Sequence, residues 1–156
     1  MTRLLVLLCL LGALSSPVWA GDPGDDFWAT VAIRKANWEL DDRASETAAA
    51  LRADKVTAAA AAARWKELHG KATQLKAEAL ALEDGSAYPQ MSREVTKMMR
   101  LQIQRLEALI KAARVETEQG REAARPLWAR QLIIAGDYRN QEALVLDLMN
   151  WIEEHP

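Results

Sequence analysis

The side chains able to do proton or metal chemistry in this 156-residue chain are few and scattered. His69 and His155 are the only histidines. Glu67 stands two positions before His69, and Glu153 and Glu154 immediately precede His155. A zinc site needs three or four converging ligands, and the chain has no His-Glu-x-x-His or equivalent spacing. The sequence therefore predicts solvated histidines and no metal. Asp41-Asp42 and Glu153-Glu154 are paired in sequence. Acid/base chemistry needs two carboxyls facing one pocket, whereas helical neighbours point about 100° apart. Surface and capping roles are the expectation, with no catalytic residue and no cofactor.

Binding chemistry has better material. Arg93, Lys97, Arg100, Lys111 and Arg114 recur at helical spacing, with Glu107 among them. From Arg93 to Arg130 there are nine basic and five acidic residues. Such a face suits an anionic membrane surface or an acidic partner. Its plainer use is a solvated face carrying intrahelical ion pairs. Tryptophan is abundant, and Trp28, Trp38, Trp128 and Trp151 are candidates for a partner surface because indoles recur at binding hot spots.

The elements that must carry these residues are helical. Ala, Leu, Glu, Lys and Arg dominate, and strand-type alternation is missing. A first helix is expected over about 25–83, capped by Asp25 or Asp26. Unbroken, it would be about 90 Å long. It must either project as a rod or break near Asp41-Asp42, Asp54 or Gly70. Gly85 and Pro89 mark a turn. A strongly amphipathic helix follows over about 90–119, with Val95, Met99, Ile103, Leu106 and Ile110 on one face and the basic residues opposite. Gly120 and Pro126 predict a kinked continuation over about 125–135, and Gly136 predicts a separate last helix over about 139–154.

The expected fold is all-α: an elongated antiparallel helical hairpin with an alanine-rich, coiled-coil-like stem and a returning C-terminal helix that makes a three-helix end. Pairing about the turn sets Ala58–Ala63 against the strip holding Ala112 and Ala113. It also gathers Trp28, Trp38, Trp128 and Trp151 at the thicker end.

The N-terminus carries an address. Arg3, the apolar run Leu4–Leu14, the breakers Ser15-Ser16-Pro17 and the segment Val18-Trp19-Ala20 make residues 1–20 a cleavable signal. The run is shorter than the roughly 20 residues that span a bilayer. Cys9, the only cysteine, lies inside it, so the mature chain has neither thiol nor disulfide. Loss of Arg3 leaves 19 basic against the 22 acidic residues, a balance that gives no general attraction to nucleic acid. The expectation is a single domain over 21–156, periplasmic or secreted, acting without catalysis as a scaffold, adaptor or holding chaperone. Its partner would be an envelope protein or a second copy. The alternatives are a peripheral binder of anionic membrane or envelope polymer through the basic face, and a small envelope hydrolase. Expressed with its own N-terminus in an exporting host, the chain should be recovered beginning at Gly21 by intact-mass measurement. Recovery beginning at Met1 would remove the basis for export.

Overall fold

The structure is a computed structural model that describes residues 23–83 and 85–155; the expected signal over residues 1–20, with Cys9, and Asp84 lie outside the described residues. The fold is all-α, an antiparallel hairpin-like bundle of four helices. They are α1 (Pro23–Arg52), α2 (Ala58–Glu83), α3 (Pro89–Gln119) and α4 (Arg121–Glu154). No strand occurs among the described residues.

The long N-terminal helical stretch breaks at Asp54. Asp54 adopts φ 52°, the left-handed conformation that ends helices. Its amide donates to the Leu51 carbonyl (3.0 Å), and the Lys55 amide donates to the Ala50 carbonyl (2.9 Å). These two bonds form the Schellman pattern, with aspartate in place of the usual glycine. Two residues later the Thr57 hydroxyl accepts the Ala60 amide at 3.2 Å, a side-chain N-cap for α2. The alanine run follows at once, so α2 opens in the strongest helix-forming segment of the chain. The reversal sends α2 back along α1 instead of continuing it as a rod.

The turn at 85–88 reverses the chain again. Tyr88 N-caps α3, Pro89 takes its first position, and the Ser86 hydroxyl accepts the Tyr88 amide at 3.0 Å. The start of α1 is tied to this turn, because the Asp26 carboxylate accepts the Ala87 amide at 3.0 Å and Phe27 meets Tyr88 edge to face.

Gly120 makes the third reversal at φ 89°, ψ 168°, a conformation open essentially to glycine alone. α4 then runs unbroken to Glu154. The sequence reading expected a kinked piece and a separate last helix, and the structure corrects it. Pro126 sits early in α4 with its side chain exposed. Gly136 is carried through, at a cost of about 1 kcal/mol relative to alanine. Ala135 and Tyr138 on either side of it are buried, and that packing holds the helix together.

α3 lies at the centre. It packs extensively against α2 and α4, while α1 rests on α2 and more lightly on α3. Its inner face buries Val95, Met98, Met99, Leu106 and Leu109 almost completely. Ala61, Ala112 and Ala113 are fully buried and pack as core, whereas Ala59, Ala60 and Ala63 of the alanine run are exposed. α1 and α4 do not pack closely along their length, which leaves the bundle open between them near the Asp54 end.

The glycines give a test with two signs. A Cβ added at Gly120 or Gly136 would meet nothing within 4 Å, so only backbone conformation decides the outcome. Gly120→Ala should lower stability by about 1–3 kcal/mol. Gly136→Ala should raise it by about 0.5–1 kcal/mol. Urea unfolding midpoints measure both, and shifts of the same sign would contradict this backbone assignment.

Candidate interaction groove

The open side is floored by an indole pair. Trp65 of α2 is fully buried and donates its Nε1–H to the Ala44 carbonyl of α1 at 3.1 Å. Its ring meets Trp128 of α4 edge to face, with centroids 6.0 Å apart. Trp128 in turn donates its Nε1–H to Glu116 of α3 at 2.9 Å. Glu116 also accepts from Arg121 Nε at 3.1 Å, and Arg121 Nη2 reaches Asp54 at 3.0 Å. One connected set therefore joins all four helices to the loop at Asp54.

Above it lies a groove of about 550 Å³ between α1 and α4. Leu51, Leu109 and Trp128 give it an apolar floor, and Arg52, Arg121, Arg125 and Leu132 form its rim. Leu132 is 65% exposed, a large apolar side chain left in solvent at the edge of an apolar cleft. Arg121 is occupied by Glu116 and Asp54, and Arg125 approaches Glu122 only at 4.0 Å. Arg52 and Arg125 therefore leave a positive rim around the floor.

Further along the same seam, polar groups join α1 to its neighbours. Arg105 of α3 is buried, ion-pairs with Asp41 and donates to the Ser45 hydroxyl at 3.1 Å. Burial pulls its guanidinium below the ordinary arginine value. Asn37 is fully buried and its Nδ2 donates to the Tyr138 hydroxyl at 2.8 Å. Burial, and then the nearby Glu142 carboxylate, push that hydroxyl well above the ordinary phenol value. At the turn end, Gln141 Nε2 donates to the Glu94 carboxylate at 2.7 Å and joins α4 to α3. Burial raises the Glu94 carboxyl, but hydrogen bonds from Lys97 and Gln141 outweigh it and hold the group below its ordinary range.

The residues singled out from sequence fall into two groups. Arg93, Lys97, Arg100, Lys111 and Arg114 are all exposed on one face of α3, with Lys97 paired to Glu94 at 2.7 Å. The tryptophans do not gather. Trp28, Trp38 and Trp151 are exposed; Trp28 leans on Phe27, and Trp151 stacks on His155. Only Trp128 reaches another indole, and that indole is Trp65. The expected four-tryptophan end is thus corrected. The reversal at Asp54 brings the first half of α2, with Trp65, to the place where a continuous helix would have carried earlier residues.

Sequence reasoning missed Trp65 as the anchor. The signal was present, because Trp65 lies in the apolar stripe of Ala61, Leu68 and Ala72. His69 meets Glu107 at 3.3 Å, and Glu67 meets Lys71 at 2.6 Å, both at exposed or half-exposed positions. Among the described residues no group of three or more His, Cys, Asp or Glu side chains could hold a metal, and no helix is long and apolar enough to cross a membrane. Compared with protein-family models, with curated proteins and with solved structures, the chain finds no significant match in any of the three.

The two adjacent aspartates now have separable roles. Asp41→Ala should cost about 3 kcal/mol, because it leaves the buried Arg105 cation without its counter-charge. Asp42→Ala, at an exposed position, should stay within about 0.5 kcal/mol. Denaturant unfolding of the two variants measures the difference, and equal effects would contradict the assigned pair.

Proposed function

We propose that the chain is an exported, non-enzymatic interaction protein of the cell envelope, a scaffold, adaptor or holding chaperone that takes an amphipathic segment of a partner protein into the α1–α4 groove. One observation carries this reading: the seam between α1 and α4 is open, and apolar side chains line it beneath a rim of arginines. Burying Leu132 and the exposed edge of the floor supplies a driving force of about 25 cal/mol per Å² of apolar area. Arg52 and Arg125 favour acidic residues on the incoming segment. The signal-like residues 1–20 support the location.

A second reading rests on a different surface. Arg93, Lys97, Arg100, Lys111 and Arg114 share one exposed face of α3, which suits anionic headgroups or an acidic polymer. The two readings separate experimentally. A photo-crosslinking residue at Leu132 should capture envelope proteins, and an Arg52→Glu/Arg125→Glu chain should lose them. Anionic vesicles should fail to pellet the chain at any salt concentration. Salt-sensitive pelleting that Arg93→Glu/Arg100→Glu abolishes, with no capture at Leu132, would replace the groove reading by the second one.

A further inference from the structure

Among the described residues, most of the large apolar side chains left exposed belong to α4: Leu132, Ile133, Leu144, Leu146 and Trp151. The helix turns Ala135, Tyr138, Val145 and Met149 inward. On the opposite face, positions 126, 130, 133, 137, 140, 144, 147 and 151 follow one another in alternating steps of four and three. That is the seam spacing of a coiled coil. Ile133 is 67%, Leu144 45% and Trp151 59% exposed along it. Between these apolar residues the seam carries Arg130, Asp137, Asn140 and Asp147.

We propose that this outer seam of α4 pairs with the same seam of a second copy of the chain, antiparallel, about a two-fold axis between Tyr138 and Arg139. In that register Ile133 meets the second copy's Leu144, and Pro126 meets its Trp151. Asp137 meets Asn140, and Arg130 meets Asp147. Symmetry makes each contact twice. Charge selects the arrangement. Arg130 and Asp147 are exposed, and neither has an ion-pair partner within the described chain. A parallel pairing sets Arg130, Asp137 and Asp147 each against its own copy. A slip of one heptad sets Asp137 against Asp147, or Ile133 against Asp137. Of these arrangements, the antiparallel register about 138–139 joins Ile133 to Leu144 and Arg130 to Asp147, and sets Asp137 against the neutral Asn140 and not against another acid. Gly136 and Ala143, beside the seam, add little bulk between the backbones. Ala129 of the groove wall stands beside the seam, but no seam position itself lines the groove, so the charge reversals test the pairing without altering the proposed partner site.

Sedimentation velocity of the purified chain over a concentration series tests the pairing. A monomer–dimer equilibrium is expected. Arg130→Asp or Asp147→Arg alone should weaken it at least about tenfold by placing like charges opposite each other. The double reversal Arg130→Asp/Asp147→Arg should restore it, a recovery that no folding defect can mimic. On a Cys9→Ser background, a chain carrying both Ile133→Cys and Leu144→Cys should cross-link between copies under mild oxidation, whereas neither single cysteine should. A chain that stays monomeric, a dimer indifferent to the charge reversals, or efficient cross-linking through Ile133→Cys alone would overturn the proposal.

Discussion

The contact between Trp65 and Trp128 ties together two helices that no reversal joins directly. Each reversal joins only sequence neighbours: α1 to α2 at Asp54, α2 to α3 at 85–88, and α3 to α4 at Gly120. The indole pair links α2 to α4, and its ring nitrogens bind the Ala44 carbonyl and the Glu116 carboxylate on the other two helices. Two large planar side chains bury extensive apolar area, and both N–H groups are satisfied, so no desolvation penalty offsets that gain. α3 reads as the centre because it lies between the helices this pair connects.

Polar groups do related work further along the seam. Arg105 with Asp41, and Asn37 with Tyr138, hold α1 against α3 and α4 where alkyl packing is thin. Such pairs add little net stability compared with a hydrocarbon core, but removing one partner strands the other. They constrain register: a helix slipping by one turn would leave Arg105 buried without its counter-charge. The open α1–α4 side is thus a pinned, partly polar joint, with an apolar groove at the Asp54 end. That arrangement leaves an apolar cleft accessible while the core behind it stays closed.

The faces of the helices were legible in the sequence, because the period of an isolated helix decides which residues share a side. Arg93, Lys97, Arg100, Lys111 and Arg114 share an exposed side for that reason, and Val95, Met99 and Leu106 a buried one. The groove was not legible. Leu51, Leu109 and Leu132 are far apart in sequence, and their meeting depends on the direction taken at Asp54. The tryptophan end failed on the same point, since one change of direction moves every later contact. Gly136 misled for a different reason. Its intrinsic penalty is about 1 kcal/mol, and burial of neighbouring side chains easily exceeds that.

Composition and periodicity alone determined that this chain is helical, where its turn at Gly85 falls and which stripes are apolar. These follow from local propensity and from the 3.6-residue repeat, which operate within a few residues of each other. Tertiary structure decided that Asp54 takes a left-handed conformation, that Trp65 and not Trp28 receives Trp128, and that α4 runs through Gly136. Each of those outcomes weighs a small local cost against packing energy from residues tens of positions away. That balance exists only once the helices are in contact.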